Sequence, residues 1–293
     1  MNKKRYFILF NPVAGSGKSN DIIQFVKEEF LRRGIDYDLY PTNTDSRADR
    51  IVQNQFNPSL YTDILILGGD GTINETANGL KYREVPISVI SLGTGNDTIK
   101  RIQPNLDFNY QLKTAFEGNP IKIDAGICND RIFLNGIGIG FDGKVVELMT
   151  RKGKKYSGHK AYLSVVIRIL LTFREKQISA HFDHLSVNEP ILLMTIAKGT
   201  TFGGGFLINP YAKNNDGLLD ICMFKKTPLW MRALYLPRMK YGGHKDLNIV
   251  SFYKSRHVFV DKHDSLVAHM DGEFIGHPSF DISVLPRAFT FRV

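Results

Sequence analysis

Cysteine is nearly absent from this 293-residue chain, whose two cysteines, Cys128 and Cys222, stand far apart in apolar segments. Two distant cysteines exclude a disulfide framework and a zinc-binding cluster, and they indicate buried thiols in a reducing compartment. Long apolar runs are also lacking, because the longest candidate, 161–173, is interrupted by Arg168 and falls short of the ~18 residues of a membrane span. The run after the basic N-terminus, 6–10, is too short for a signal peptide. We therefore expect a cytoplasmic protein that associates with membranes only peripherally.

Low-complexity tracts and internal repeats are missing too, which argues against disorder and repeat architectures. Hydrophobic residues make up 43% of the chain and charged residues 23%, the profile of a folded globular protein. The net charge of +9 favours anionic partners, either nucleotides, phospholipid head groups or nucleic acid. The eight histidines lack metal-ligand spacing, and no helix-turn-helix or RNA-binding signature supports a nucleic-acid partner.

Strands and helices alternate in the first part of the chain. Strands are predicted at 6–10, 36–40, 64–67 and 87–91, and a helix is predicted from Ser19 up to Gly34 because its apolar residues recur at helical spacing. Repeated strand–loop–helix units predict an α/β fold, a doubly wound parallel sheet with helices on its faces. Ligands of such sheets bind at the carboxyl ends of the strands, where glycine-rich loops occur here.

From about residue 121 the pattern changes to short strands. They are predicted at 121–127, 131–134, 177–182, 191–197, 218–224, 257–260, 266–270 and 280–285, with one long helix at 159–172. This pattern predicts a β-rich, antiparallel, sandwich-like second domain. We expect the domains to span 1–124 and 125–293, with the last strand able to return to the first domain, and we expect the chemistry in the cleft between them.

The first glycine-containing loop follows the first strand and reads Asn11-Pro12-Val13-Ala14-Gly15-Ser16-Gly17-Lys18-Ser19. It ends like a phosphate-binding P-loop, but the first glycine of that motif would stand at Pro12, so the motif fails. Small residues ahead of a helix N-terminus still suit an anion. The alternative is an ordinary strand-to-helix turn, and the loop by itself does not decide between the two.

The second loop, Gly68-Gly69-Asp70-Gly71-Thr72-Ile73-Asn74-Glu75, is more specific. Three glycines allow backbone to approach a phosphate chain closely, and an acid beside a phosphate requires an intervening cation. We therefore predict that Asp70 is linked to nucleotide phosphate through magnesium. Thr72 and Glu75 also fit a capping box that would start the next helix, and a tight turn is the alternative for the glycines.

A third loop, Leu92-Gly93-Thr94-Gly95-Asn96-Asp97, follows the next strand. Thr94 can donate to a phosphate, and Asn96 or Asp97 can orient water around a metal ion. Alternatively, Asn96 or Asp97 caps a short helix. The loop gains weight because it should lie beside residues 68–74 in the sheet.

These three loops resemble the signature of the diacylglycerol kinase catalytic-domain family. Two later segments, Asp216-Gly217-Leu218-Leu219-Asp220 and Met270-Asp271-Gly272-Glu273, also resemble segments of that family, so that the likeness covers almost the whole chain. The family includes soluble bacterial lipid kinases and is similar to sphingosine and ceramide kinases and, more distantly, to NAD kinases. The resemblance implies an NAD kinase/diacylglycerol kinase-like fold, with ATP and Mg²⁺ as cofactors.

The resemblance also implies roles for individual residues. The expected ATP-binding residues are Asn11, Pro12, Val13, Ala14, Gly15, Thr42, Gly68, Gly69, Asp70, Gly71, Thr72, Ile73, Asn74, Thr94, Asn96 and Asp97. Asp70 would belong to the catalytic magnesium network, with Asp97 and Asp124 nearby. A structural magnesium ion would be bound by the carboxylate of Asp216 and the backbone carbonyls of Lys213 and Leu218. From spacing alone, a hairpin turn explains Asp216-Gly217 equally well.

The resemblance makes Asp271 or Glu273 the general base that takes the proton of the attacking hydroxyl. Two residues spaced by two would face the same side of a straight strand, but Gly272 makes a bend possible, so that only one of them need reach a substrate. Asp271-Gly272 is also a strong hairpin-turn signal. The sequence leaves the choice between the two carboxylates open.

Two basic segments could contact anionic lipid, where each basic residue contributes about 1 kcal/mol. One extends from Arg151 to Lys160, ahead of an amphipathic helix, and the other, 230–240, mixes aromatic, leucine and basic residues. A solvated charge run and a packed helix are the alternatives. We expect an ATP-dependent kinase acting on a lipid hydroxyl, foremost diacylglycerol, at a surface of anionic phospholipid head groups. The alternatives are a kinase of another alcohol (sphingoid base, other glycerolipid or NAD) and a nonenzymatic nucleotide-binding regulator. A homodimer is left open, and neither nucleic acid nor a transmembrane segment is expected.

Overall fold

The computed structural model describes residues 4–17, 19–81, 83–152, 159–263, 265–276 and 279–293. Contacts divide the chain into two compact units, one of residues 1–125 with 286–293 and one of residues 126–285. Within the described part, no helix is both long and apolar enough to cross a membrane.

The first unit contains a parallel sheet in the strand order β2–β1–β3–β4. Its strands are β1 (Arg5–Phe10), β2 (Asp36–Pro41), β3 (Asp63–Gly68) and β4 (Pro86–Ser91). The chain end also joins this sheet, since Thr290 and Phe291 pair in parallel with the start of β4. β3 is buried along its whole length and β1 along nearly all of it, as strands covered on both faces should be. The prediction of a parallel α/β sheet is confirmed.

Helices and one 3-10 turn connect these strands. In the described part of this unit they are the turn Ala14–Gly17 and the helices α1 (Ser19–Arg33), α2 (Ala48–Gln55), α3 (Asp70–Leu80), α4 (Asp97–Ile102) and α5 (Phe108–Glu117). The helical spacing of Ile23, Val26 and Phe30 turns one face of α1 into the core. Phe30 packs edge-on against Tyr6 of β1, with ring centroids 5.0 Å apart. Gly34, with φ of +61°, ends the helix in the left-handed conformation that glycine adopts most readily.

The second unit is built from antiparallel strands. The strands that lie wholly or partly in it are β5 (Pro120–Cys128), β6 (Arg131–Phe133), β7 (Gly136–Gly140), β8 (Lys176–Phe182), β9 (Ser186–Ala197), β10 (Leu219–Lys225), β11 (Val250–Ser255), β12 (His257–Val260), β13 (Ala268–Met270), β14 (Glu273–Gly276) and β15 (Phe280–Arg292). The long strand β9 joins the others, because it pairs with β7, β8 and β10. The predicted antiparallel, β-rich second part is confirmed.

Three helices occur in the described part of the second unit: α6 (Phe141–Lys152), α7 (His159–Thr172) and α8 (Leu229–Lys240). The predicted helix at 159–172 is confirmed, but the sequence pattern did not predict α6. Its buried positions fall two residues apart and include Gly143 and Glu147, so they lack the apolar 3.6-residue period that marks a helix. Of the predicted basic segment 151–160, residues 153–158 lie outside the described residues.

Candidate active site

The strand order of the first unit determines where a ligand can bind. From β1 the chain moves outward to β2 on one side, whereas β3 and β4 follow on the other side, so the order reverses between β1 and β3. Ligands of open parallel sheets bind beyond the carboxyl ends of the strands at such a switch point. The loops that begin at Asn11 and Gly69 follow the two strands that flank it.

Backbone hydrogen bonds join the loops at this edge of the sheet. The Asn11 N–H donates to the Leu67 carbonyl at 2.9 Å, the Leu92 N–H to the Gly68 carbonyl at 2.8 Å, and the Thr42 N–H to the Phe10 carbonyl at 2.8 Å. The predicted segments 11–15, 68–74 and 92–97, together with Thr42, therefore line one edge of the sheet.

Glycine is required where the second and third loops approach each other. A Cβ added to Gly69 would lie 3.1 Å from the Gly93 Cα, and one added to Gly93 would lie 2.9 Å from the Gly69 Cα. Side chains at these positions would push the loops apart. The close approach leaves backbone rather than side chains facing a ligand, which suits a phosphate chain.

The first loop is held by its own polar groups. The Asn11 side-chain oxygen accepts from the Val13 N–H at 3.2 Å, and the Ser19 hydroxyl of α1 donates to the Pro12 carbonyl at 2.5 Å. The Val13 side chain is 84% exposed, so nothing packs over the turn. Lys18, which ends the P-loop-like segment, lies outside the described residues.

Asp70 begins α3, and its carboxylate bridges to the start of α4. One oxygen accepts from the Asp97 N–H at 3.1 Å and the other from the Thr98 N–H at 3.0 Å. Burial raises the pKa of Asp70, the two N–H donors oppose that rise, and the charge of Asp97 adds to it. A nearby cation would relieve this cost. The carboxylate also retains lone pairs beyond those the two N–H groups use.

The predicted capping box at Thr72 and Glu75 is wrong. Helix α3 begins two residues before Thr72, with Gly69 as its N-cap and no side-chain cap. The Glu75 carboxylate instead accepts from the N–H of Ala48, the first residue of α2, at 2.9 Å. The sequence matched the capping-box pattern because that pattern is defined only by residue spacing. Helix α3 in fact begins at Asp70, and the Glu75 carboxylate accepts instead from an N–H group at the N-terminus of the neighbouring helix α2, where such groups have no partner within the helix.

Asn96 occupies the N-cap position of α4 in the left-handed conformation, with φ of +53° and no side-chain cap hydrogen bond. Its side-chain N–H donates to the Gly93 carbonyl at 2.8 Å, and its side-chain oxygen is buried without a hydrogen-bond partner among the described residues. Capping by Asn96 or Asp97 was the alternative that the sequence offered, and the side chain that accepts from the first N–H groups of α4 is instead that of Asp70. Thr94, which lies between Gly93 and Asn96 in the same loop, is exposed.

A hydrated magnesium ion fits the donors on this edge of the first unit. Asp70 and Asp97 are adjacent, and the buried, unpaired oxygen of Asn96 is a further oxygen ligand of the kind that hard cations prefer. Asp124 is buried in β5, where its carboxylate accepts from the Arg287 N–H at 2.9 Å. No group of three or more His, Cys, Asp or Glu side chains among the described residues forms a preassembled metal site.

In the second unit, Asp271 and Gly272 form a two-residue hairpin turn between β13 and β14, with φ of +46° and +83°. Positive φ at both positions is typical of a type I′ turn, for which Asp-Gly is a preferred sequence. The Asp271 carboxylate accepts from three buried backbone N–H groups, those of Leu134, Asn135 and Gly136, at 2.8, 3.0 and 2.7 Å. These three hydrogen bonds hold the turn in place against the residues at 134–136.

Glu273 begins β14, and its environment differs from that of Asp271. Its side chain is 44% exposed and forms an ion pair with Arg131, which is also partly exposed. Glu273 therefore keeps access to solvent. The sequence left Asp271 and Glu273 equivalent, and it gave no sign of Arg131.

The loop from Lys213 to Asp220 does not fit the predicted structural magnesium ion. The Lys198 ammonium donates to the Asp216 carboxylate at 3.1 Å and to the Leu218 carbonyl at 2.5 Å, two of the three groups assigned to the metal. For Lys213, the backbone N–H donates to Asp220 at 3.2 Å. Burial raises the pKa of Asp216, but the ammonium groups of Lys254 and Lys198 outweigh it, and the pKa falls below its ordinary value. Sequence reasoning missed Lys198, although a lysine directly after the apolar strand β9 was a usable signal.

Comparison with known proteins agrees with this arrangement. The profile of the diacylglycerol kinase catalytic domain matches residues 5–128, and that of the YegS C-terminal NAD kinase beta sandwich-like domain matches residues 135–293. The chain belongs to the diacylglycerol kinase catalytic-domain family. The two profiles together account for the parallel first part and the β-rich second part of this kinase-family chain.

The relatives are distant but extend over most of the family fold. A diacylglycerol kinase of Bacillus subtilis (strain 168) is 26% identical over 279 residues, which cover 93% of this chain and 91% of that protein. A probable lipid kinase YegS-like of Shewanella frigidimarina is 28% identical over 233 residues, covering 78% and 75%. The crystal structure of a diacylglycerol kinase from Bacillus anthracis str. Sterne superimposes with a TM-score of 0.80 at 22% identity, covering 100% and 98%. At that identity the superposition shows the shared fold.

Proposed function

We propose that this protein is an ATP-dependent lipid kinase that transfers the γ-phosphoryl group of ATP to the hydroxyl of diacylglycerol, giving phosphatidic acid. The observation that carries the proposal is the set of glycine-containing loops that present backbone N–H groups at the switch point of the first sheet, with Asp70 in one of them. The names of the relatives, diacylglycerol kinase and lipid kinase, support the choice of acceptor.

The first unit provides the nucleotide-binding groups. Backbone N–H groups of the loops at Asn11 and Gly69, together with the N-terminus of α3, would hold the phosphate chain. Asp70, Asp97 and the Asn96 oxygen would hold magnesium, which neutralises phosphate charge when bound. The glycines at 69 and 93 keep side chains out of the space that the phosphates need.

The second unit provides the candidate general base. We assign this role to Glu273, because Asp271 is committed to three backbone N–H groups whereas Glu273 is accessible. The lipid hydroxyl gives its proton to the Glu273 carboxylate while its oxygen forms a bond to the γ-phosphorus. The bond from that phosphorus to the bridging oxygen of ADP breaks, and ADP leaves with the electron pair. Arg131 forms an ion pair with this carboxylate and limits its orientation.

An exposed apolar face on α7 and α8 supports docking at a lipid surface. Leu163, Ile167 and Leu171 recur every four residues on α7, and all are exposed, while the opposite face packs into the core. On α8, Leu234 and Trp230 are exposed, the latter by 68%. Basic residues accompany this face and are exposed as well: Arg168, Arg174, Arg238 and Lys240. An apolar face flanked by positive charge matches an anionic bilayer.

A phosphorylation assay tests the proposed reaction. The purified protein is incubated with labelled ATP, Mg²⁺ and a panel of diacylglycerol, sphingosine, monoacylglycerol and NAD, and the product is identified. We expect labelled phosphatidic acid, and we expect Asp70→Asn to reduce the label by about 100-fold or more, the size of a lost electrostatic group in a site. Asp36→Asn, at the amino end of β2 and away from the loops, is the matched control and should retain activity. Full activity of Asp70→Asn, or label in another acceptor only, would refute the assignment.

Fluorescence of Trp230, the only tryptophan of the chain, tests the docking face. On adding phosphatidylglycerol vesicles at low salt, we expect a blue shift that phosphatidylcholine vesicles do not produce. Ile167→Glu should weaken the shift, whereas Leu31→Glu, at an 83%-exposed leucine of α1, should leave it intact. An unchanged spectrum with anionic vesicles contradicts the docking.

A further inference from the structure

Among the described residues outside the nucleotide-binding loops, Lys198 carries the most deeply buried charge, since its side chain is fully buried. Lys198 directly follows β9, the strand on which the second unit is assembled, and its backbone N–H donates to the Asn135 carbonyl at 2.9 Å. A lysine is rarely buried to this extent unless it is paired, since burying an isolated ammonium group is costly. The position of its partners therefore indicates its role.

The Lys198 ammonium binds oxygens from one short loop. It donates to a carboxylate oxygen of Asp216 at 3.1 Å and to the backbone carbonyl of Leu218 at 2.5 Å. One carboxylate and one carbonyl oxygen are the ligands that a hard cation would take from a loop of this kind. Gly217, with φ of +69°, turns the chain between them so that both oxygens face the same charge.

A second ammonium completes the neutralisation. Lys254 of β11 lies 2.5 Å from the other oxygen of Asp216 and 3.1 Å from Asp220. The loop thus contains two carboxylates and meets two ammonium groups, and the net charge of the four is zero. A divalent ion added to them would create an excess of two positive charges at a partly buried position, next to an ammonium group that cannot move into water without unburying its stem.

We propose that Lys198 is a built-in cation that replaces a divalent metal ion in the Asp216 loop, so that this loop of the protein is ordered without metal. The ammonium ties the loop at 213–220 to the end of β9, as a bound ion would, but this cation is part of the chain and is present at every metal concentration. The inference is independent of the proposed kinase activity, because it concerns the folding of the second unit.

Thermal unfolding without nucleotide or lipid tests the proposal on the wild-type chain. We expect the same Tm in EDTA and in millimolar MgCl₂ or CaCl₂. Any change of Tm with divalent ions that the Asp216→Asn variant shows equally is not due to this loop and is subtracted. A divalent-dependent rise of Tm that Asp216→Asn abolishes would overturn the proposal, because it would show a metal ion on that carboxylate. Since this measurement needs no lysine variant, it decides the matter even if such a variant fails to fold.

Removing the ammonium should create the metal dependence that the wild type lacks. We expect Lys198→Ala to lower the Tm by several degrees in EDTA and to regain part of that loss with Mg²⁺ or Ca²⁺, because the vacated oxygens become available. The double variant with Asp216→Asn should not regain it. Lys225→Ala, at a partly exposed lysine of β10, is the matched control and should show neither effect. A Lys198→Ala protein with wild-type Tm in EDTA would overturn the proposal, and so would one that is destabilised but indifferent to divalent ions.

Discussion

Replacing Asp271 with alanine removes the acceptor of three buried backbone N–H groups, at 2.7–3.0 Å, and leaves an alanine at φ of +46°. A hydrogen bond to a charged acceptor contributes about 1.5–3 kcal/mol, but bonds that share one carboxylate are not additive, so we take about 3 kcal/mol for the set. The left-handed conformation of alanine costs about 1 kcal/mol more. We expect Asp271→Ala to reduce the free energy of unfolding by about 4 kcal/mol, a large share of the 5–15 kcal/mol typical of a domain.

Glu273→Gln should give the opposite phenotype. The Glu273–Arg131 pair is partly exposed on both sides, so its loss should change the free energy of unfolding by less than ~1 kcal/mol. The loss of a general base should lower kcat by roughly 100- to 10,000-fold. Asp271→Gly separates the loss of the carboxylate from the strain of the left-handed backbone, because glycine lacks the carboxylate but adopts a positive φ without strain. Its free energy of unfolding should be about 1 kcal/mol higher than that of Asp271→Ala.

The assay is urea unfolding followed by circular dichroism for each variant, combined with the kinase assay at saturating ATP. An Asp271→Ala protein with the unfolding midpoint of the wild type would refute the structural role of that carboxylate. An active Glu273→Gln protein alongside a stable but inactive Asp271→Asn protein would reverse the assignment of the base.

Three further perturbations test other parts of the structure. Gly69→Ala should weaken ATP binding about tenfold, measured by isothermal titration, because its Cβ would lie 3.1 Å from the Gly93 Cα; unchanged affinity would contradict the close approach of the loops. Arg232→Met should cost about 3–5 kcal/mol in urea unfolding, because the buried guanidinium binds Glu175 and three carbonyls, and a loss below ~1 kcal/mol would contradict this. Hydrogen bonds from two arginines of α1 lower the pKa of Glu29 from 4.5 to about 2, so Glu29→Gln should lower the Tm slightly at neutral pH, and the difference should vanish as the pH falls from 4.5 towards 2; a difference that persists at pH 2 would contradict the ion pairs.

The parallel sheet could be predicted because three of its strands, β1, β3 and β4, are short apolar runs followed by loops that contain glycine. A strand buried on both faces needs only apolar residues, and residues 6–10 and 64–67 supply them. The helix α6 could not be predicted, since its buried face includes Gly143 and Glu147. Burial of Glu147 depends on Lys144 and Arg151, which bind it across one helical turn, and such pairing leaves no apolar period in the sequence.

For the candidate site as well, the sequence predicted the positions of the loops but not the hydrogen-bond partners of individual side chains. Loop composition located the segments around Asn11, Gly69 and Gly93, because ligands of parallel sheets bind beyond the carboxyl ends of the strands, where these glycine-containing loops follow. Which donor meets which acceptor was not readable, so the Glu75 carboxylate was assigned to the wrong helix, and the contact of Lys198 with Asp216 was not foreseen. Contacts between residues far apart in the sequence decide both points, and no local pattern encodes them.

The central claim is that the loops after β1, β3 and β4 hold a nucleoside triphosphate, with Asp70 joined to it through a divalent ion. A crystal structure of the protein with ATP and Mg²⁺ tests it most directly. We predict phosphate oxygens within hydrogen-bond distance of backbone N–H groups in segments 11–15 and 69–72, and a magnesium ion between the phosphates and Asp70. A triphosphate bound away from the carboxyl ends of these strands, with Asp70 contacting only the start of α4, would contradict the account.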